Sequence, residues 1–178
     1  YLPPEDFLLW TTELLGGRAD PATPARVGDA LGRIHAATLG DAAVAAEFAT
    51  DTLFDALRLD PYLRTLAARQ PALAAPILAC LEETRTTKLA LVHGDVSPKN
   101  ILVSRRDGHP VLLDAECAWY GDPVFDAAFC LNHLLLKAVH VRSLCAVLPD
   151  QALTLFSAWI DHLPLGLRKD AERRTATL

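Results

Sequence analysis

The segment from Leu91 to Asp114 constrains the fold most, because a short β-type run leads into a polar loop and then into two further apolar runs. The runs Ile101–Val103 and Val111–Leu113 are separated by an Arg-Asp-Gly turn, and the second ends directly at Asp114. A hairpin of this kind predicts that Asn100 and Asp114 lie near the same end of adjacent strands. The loop before it holds the polar residues His93, Asp95, Lys99 and Asn100, together with Ser97.

The residue types in this segment indicate a metal site beside a proton acceptor. Amide and carboxylate oxygens from Asn100 and Asp114 are hard donors that suit Mg²⁺. Asp95 follows a glycine that permits a tight turn, and a carboxylate there can orient an attacking hydroxyl or accept its proton. Taken alone, the His-Gly-Asp sequence favours a carboxylate that only caps a turn. The three side chains together favour phosphoryl transfer.

Net charge limits the partners that the chain can bind. Its 178 residues carry a formal charge of −5, which argues against nucleic acids and anionic membranes, because both attract basic surfaces. The most apolar stretch, Ala127–Leu136, is too short to cross a bilayer, and no signal peptide is visible. We therefore expect a soluble, cytoplasmic protein; the sequence does not indicate its oligomeric state.

The cysteines show no spacing typical of a metal site or of a disulfide framework. No Cys-x-x-Cys pair occurs among Cys80, Cys117, Cys130 and Cys145. We expect buried, free thiols in a reducing compartment.

Apolar periodicity and helix-start signals predict a mostly helical chain with one small hairpin. The predicted starts are Thr23-Pro24, with the Thr23 hydroxyl as N-cap; Asp51 or Thr52, for a helix through Leu57; Asp60-Pro61, for one through Arg69; Pro71; Asp122-Pro123; and Asp150, for one through Leu163. The helix after Asp122-Pro123 is apolar nearly all round and should lie in the middle of the domain. The fold class is α+β, and nothing divides residues 1–178 into two domains.

Three motifs resemble the aminoglycoside phosphotransferase and choline kinase group. HGDVSPKN resembles its catalytic loop, LLDAECAWYGDPVFDAAF is similar to its metal loop, and LGRIHAATLG resembles a segment upstream of the catalytic loop. The similarity covers most of Tyr1 to about Leu136. It implies the C-terminal lobe of a protein-kinase-like fold, with the metal site on the hairpin. No Gly-rich loop or strand lysine precedes these motifs, so the resemblance implies that the N-terminal lobe is missing from this chain.

The resemblance also implies roles for individual residues. Asp95 would be the catalytic base, Asn100 and Asp114 would hold the Mg²⁺ that bridges the phosphates of ATP (or GTP), and Leu102 would lie beneath the adenine. Glu116 completes an Asp-x-Glu pattern similar to methylthioribose kinase, so it is either a further metal ligand or a surface carboxylate.

Two more residues would support the catalytic loop. By the same resemblance, His93 would brace the loop by hydrogen bonding. Asp126 would accept hydrogen bonds from the loop's backbone; a helix N-terminal carboxylate stabilised by the helix dipole is the alternative.

These observations lead to one expected activity and three alternatives. We expect an ATP-dependent phosphotransferase that moves the γ-phosphate to a hydroxyl of a sugar, amino sugar or amino alcohol. A methylthioribose-kinase-like sugar kinase and a non-catalytic binding module of this fold are the main alternatives. A metal-dependent phosphohydrolase would need further His or Asp ligands, which the sequence does not group. A lone C-terminal lobe should bind ATP weakly and be inactive by itself.

Overall fold

Helices form most of the structure, as the sequence predicted. The computed structural model describes residues 2–178. Its α-helices are α1 (Trp10–Leu15), α2 (Thr23–Thr38), α3 (Ala42–Glu47), α4 (Asp51–Phe54), α5 (Thr65–Arg69), α6 (Ala74–Thr86), α7 (Val124–His140), α8 (Leu148–Ile160) and α9 (Leu165–Thr175). A π-helical segment spans Asp55–Arg64, and short 3₁₀ turns cover Pro4–Asp6, Pro71–Leu73, Pro98–Asn100 and Arg142–Leu144.

Two small antiparallel sheets complete the fold. Strands β1 (Phe7–Leu9), β3 (Ile101–Ser104) and β4 (Pro110–Leu112) pair in the order β1-β3-β4, and β2 (Ala90–Val92) pairs with β5 (Trp119–Gly121). The arrangement agrees with the predicted α+β class, with a helical majority.

The predicted hairpin is present, one residue earlier in its second strand than expected. Ile101 lies opposite Leu112, and the amide of Leu113 donates to the carbonyl oxygen of Asn100 at 2.8 Å. Asn100 and Asp114 therefore lie at the same end of the hairpin, as the sequence predicted.

Two apolar clusters hold these elements together. The larger joins α1, α2, α7, α8 and β3, and the smaller is aromatic, with Phe54 stacked on Trp119 at a ring-centroid distance of 3.9 Å. Helix α7 contributes to both clusters, and its first seven residues are all buried. Its last turns are covered on one side only, contrary to the sequence prediction: Ala138 is buried, but Leu136 is 53% exposed and Val139 is 83% exposed.

Two predicted helix starts are wrong in detail. The Thr23 hydroxyl does not cap α2 but donates to Asp20 at 2.7 Å, and Ala22 before it is already helical. Asp150 does not cap α8, because the helix begins at Leu148, with Pro149 in the first turn. A proline in the first turn needs no backbone donor, so it allows the helix to begin earlier than the acidic residue suggested.

The region between Asp51 and Arg69 is one continuous helical segment, not two helices that break at Asp60-Pro61. Pro61 lies inside the π-helical turns of residues 55–64. The amide of Thr65 donates to the carbonyl oxygen of Asp60, five residues back. Because Pro61 has no amide to donate, an ordinary α-helix would break or kink there, and the wider turn accommodates it.

The thiols and the helix lengths complete the comparison with the sequence. Cys80, Cys117 and Cys130 are buried and free, as predicted, but Cys145 is exposed in the turn before α8. No helix within residues 2–178 combines the length and the hydropathy that a bilayer span requires.

Candidate functional site

The loop that connects β2 to the turn Pro98–Asn100 is buried although it is not a regular strand or helix. Its backbone bonds to itself, from the Ser97 amide to the Asp95 carbonyl oxygen at 2.9 Å and from the Asn100 amide to the Ser97 carbonyl oxygen at 2.8 Å. The Asn100 side-chain amide also donates to the Asp95 carbonyl oxygen at 3.1 Å. The loop, residues 93–100, is called the HGD loop below.

Gly94 sets the path of the HGD loop. Its φ is +81°, a conformation that side chains strongly disfavour. A Cβ atom at this position would lie 2.7 Å from the carbonyl oxygen of Cys117 and 2.9 Å from its Cβ. The glycine thus permits the tight turn that the sequence predicted, and it brings the loop against the segment that follows β4.

Asp126 anchors the HGD loop from the first turn of α7. The carboxylate is fully buried, and it accepts hydrogen bonds from the amides of His93 and Gly94, both at 2.8 Å. These are the backbone bonds that the family resemblance implied. Its position in the first helical turn also fits the helix dipole, so the two interpretations are compatible. The effect on catalysis stays a prediction.

His35 and Trp159 extend this anchor into the core. The indole of Trp159 donates to Nδ1 of His35 at 2.8 Å, and Nε2 of His35 lies 3.1 Å from Oδ2 of Asp126. Because an indole only donates, Nδ1 of His35 must be the acceptor and Nε2 carries the proton toward the carboxylate. The network connects α2, α8 and α7 to the loop.

Sequence reasoning missed His35, although it lies in the LGRIHAATLG segment. The available signal was a histidine on a helix whose neighbouring positions are apolar, and that signal does not identify a partner. The bond to Asp126 spans 91 residues of sequence, so only the fold reveals it.

Asp95, the predicted base, is buried between two cations. Asp95 is 5% exposed. Oδ2 lies 3.1 Å from Nη2 of Arg58 and 3.1 Å from Nζ of Lys99. Its own amide donates to Nδ1 of His93 at 3.3 Å; the bracing role of His93 stays a prediction. The two cations therefore hold the carboxylate of Asp95 in one position.

Arg58 is the second residue that sequence reasoning missed. It lies in the π-helical segment, is buried, and donates from Nε to the carbonyl oxygen of Gly94 and from Nη1 to that of Leu57 at 2.8 Å. An arginine between two leucines in a helical run gives no local signal for such a role. Its target is 36 residues away in sequence.

The segment after the hairpin packs against the HGD loop at Cys117, a buried thiol close to Gly94. Burial is the main cause that raises the pKa of Cys117; the charge of Arg58 lowers that pKa, and the charges of Glu116, Asp95 and Asp114 raise it further. Among residues 2–178, Asp114 is the sole non-glycine residue with positive φ, at +64°. Such a conformation in a non-glycine residue is typical of a functional turn.

The donors present fit Mg²⁺ carried by a nucleotide. Asn100 and Asp114 supply two hard oxygen ligands, and Asp114 and Glu116 are both exposed. Within residues 2–178, no three or more His, Cys, Asp or Glu side chains are grouped closely enough to hold a metal by themselves. Mg²⁺ commonly takes one or two protein carboxylates and completes its shell with phosphate oxygens and water, so two protein ligands suffice.

Leu102 is half-buried on the side of β3 opposite to Ile101 and Val103, which face the core. This leaves part of its side chain accessible, and contact with an adenine remains a prediction.

Comparison with known proteins identifies the family. A search of curated proteins returns no match. A family model described as the phosphotransferase enzyme family, APH, matches residues 1–163 of the 178. The match includes the HGD loop, the hairpin, α7 and its buried Asp126. The chain therefore belongs to the phosphotransferase enzyme family.

Proposed function

We propose that this chain carries the catalytic site of a small-molecule kinase that transfers the γ-phosphate of ATP (or GTP) to a hydroxyl group. The acceptor would be a sugar, an amino sugar or an amino alcohol. The observation that carries the proposal is the fixed carboxylate of Asp95 on a loop that Asp126 anchors, beside the hairpin end with Asn100 and Asp114. Membership of the phosphotransferase family supports the reaction class.

In this proposal the protein acts mainly by positioning. Asp95 orients the acceptor hydroxyl and accepts its proton as the bond to phosphorus forms. Asn100 and Asp114 would hold Mg²⁺, and Glu116 would be a further ligand. When bound, the metal neutralises charge on the phosphates. The prearranged position of the buried Asp95 carboxylate would strengthen its effect as a base, because a fixed charge needs no reorganisation during the reaction.

Several further features belong to the same proposal. Leu102 would lie beneath the adenine, and a separate N-terminal lobe would clamp the phosphates, so the described chain alone would be inactive. The enzyme would be cytoplasmic and would bind neither nucleic acid nor membrane.

Substitution of two acids in the full-length protein tests the proposal. We expect D95A to lower ADP release by about 100-fold or more, which is typical for loss of an acid–base group. We expect D114A to lower it by about as much, because the metal would lose a protein ligand. D107A is the matched control, because Asp107 is an exposed acid at the opposite end of the same hairpin. Near wild-type turnover in a folded D95A or D114A variant would exclude the assignment.

A methylthioribose-kinase-like sugar kinase is the second candidate, and the turn that holds both Asp114 and Glu116 favours it. Activity with methylthioribose but not with amino sugars, lost in E116Q, would select it. The non-catalytic alternative predicts a thermal shift with Mg²⁺ and ATP but no ADP release with any acceptor.

A further inference from the structure

The guanidinium of Arg58 contacts the HGD loop at two atoms and its own helical segment at a third. Each of its three guanidinium nitrogens has an oxygen partner: the carbonyl oxygens of Gly94 and Leu57, and Oδ2 of Asp95. The guanidinium carbon also lies 6.0 Å from the ring centre of Phe129, within range of a cation–π contact. These contacts therefore fix the orientation of the guanidinium plane.

The two cations beside Asp95 differ in exposure. Both approach Oδ2 at 3.1 Å, but the side chain of Arg58 is 10% exposed and that of Lys99 is 60% exposed. Arg58 is therefore the buried partner of the carboxylate, whereas Lys99 reaches it from the surface.

We propose that Arg58 is a positioning residue for the base: it holds Oδ2 of Asp95 and the carbonyl oxygen of Gly94 together, so that the carboxylate is directed to the acceptor. This inference rests on the proposed kinase function. A guanidinium has several donors in one rigid plane, so it fixes the angle between the carboxylate and the loop backbone. A lysine at the same position supplies charge without that fork.

The surrounding helix supports the assignment. Arg58 and Leu59 are consecutive and both buried, and they lie in the π-helical turns of residues 55–64. Such turns are frequent at functional sites, because they reorient side chains relative to an ordinary helix. In this chain the reoriented side chain contacts the predicted base.

Kinetics of the full-length protein test the inference. We expect R58A and R58Q to lower kcat by about 100-fold, the effect of misplacing a catalytic group by about 1 Å, with the KM for Mg²⁺-ATP nearly unchanged. Added guanidinium ion should restore a large part of the kcat of R58A, and R58K should remain well below wild type. R64A is the matched control, since Arg64 lies on the same segment but pairs with Asp55 and Asp60 near the surface.

Each outcome decides the matter. A folded R58A or R58Q variant with wild-type kcat overturns the inference, as does a loss expressed only in the KM for nucleotide. Loss of activity in both variants with a matching loss of fold by circular dichroism, and without rescue by guanidinium, overturns it in favour of a purely structural role. Absence of turnover in the wild type with every acceptor refutes the proposed function itself, whereas the results for the Arg58 variants bear only on the role of Arg58.

Discussion

The anchor at Asp126 gives the sharpest prediction about stability, because the substitution Asp126→Asn keeps the shape and removes the charge. Three donors meet this carboxylate: the amides of His93 and Gly94, at 2.8 Å each, and Nε2 of His35, at 3.1 Å. Asparagine retains a single oxygen and brings an NH₂ group of its own. At least one buried donor must then face another donor.

The magnitude follows from the bonds that are lost. A hydrogen bond to a charged group contributes about 1.5–3 kcal/mol, and a buried donor left without a partner costs about 1–3 kcal/mol. Removing one bond and weakening the other two, offset by the easier burial of a neutral side chain, gives a loss of about 3 kcal/mol. For a protein of this size, that corresponds to a fall in Tm of about 6–12 °C.

Urea denaturation followed by circular dichroism measures the loss, and hydrogen exchange at the Gly94 amide locates it. We expect D126N to unfold at lower urea and to exchange that amide faster. D161N is the matched control, because the carboxylate of Asp161 is also hydrogen-bonded, in this case to Arg168, but its side chain is 68% exposed, so its loss should be less than about 1 kcal/mol. If D126N loses no more than D161N, the carboxylate does not anchor the loop.

Three further substitutions test neighbouring features of the molecule. G94A should destabilise the fold by about 1–2 kcal/mol or more, because alanine is strained at positive φ and would contact Cys117; G166A, whose Cβ would meet no atom within 4 Å, should change little in the same urea titration. R174M should cost about 3–5 kcal/mol, because it leaves the buried carboxylate of Asp122 without its partner, whereas R173M, at an exposed neighbour, should cost much less. Burial raises the pKa of Asp122 despite Arg174, so the folded state holds that proton more tightly than the unfolded chain and the R174M penalty should shrink in melts at acid pH. Burial lowers the pKa of His133 from its ordinary 6.5; the charges of Lys137 and Lys99 lower it further, and that of Asp95 raises it. The stability that depends on neutral His133 is therefore complete above pH 6.5 and declines as the pH falls toward the folded-state pKa. The Tm of H133N should thus fall less than that of the wild type between pH 7.5 and 5.5.

Local chemistry explains what the sequence predicted well. The HGD loop and the hairpin are continuous in sequence, so alternating apolar runs and a turn were enough to bring Asn100 and Asp114 to one end. The start of α7 was also predictable, because Asp122 accepts the amide of Val124 within two residues. These features need no knowledge of the rest of the fold.

The failures have equally specific causes. The start of α8 was misplaced because a first-turn proline at position 149 prevailed over the acidic residue after it. The break expected at Asp60-Pro61 did not occur, because the π-helical turn accommodates the proline. His35 and Arg58 were missed for another reason: each acts on a partner far away in sequence, and helical periodicity reports burial without naming the contact.

Gly94 shows how two buried charges can hold a loop that is neither helix nor strand. Its amide donates to the carboxylate of Asp126, and its carbonyl oxygen accepts from the guanidinium of Arg58. The carboxylate of Asp126 thus binds the N–H group of Gly94, and the guanidinium of Arg58 binds its carbonyl oxygen. Each charge satisfies a backbone group that would otherwise be buried without a partner. Because the Asp126 network also includes His35 and Trp159 in the core, the position of Asp95 depends on how α2, α7 and α8 pack. Core substitutions near Trp159 should therefore lower the rate of phosphoryl transfer as well as the stability of the fold.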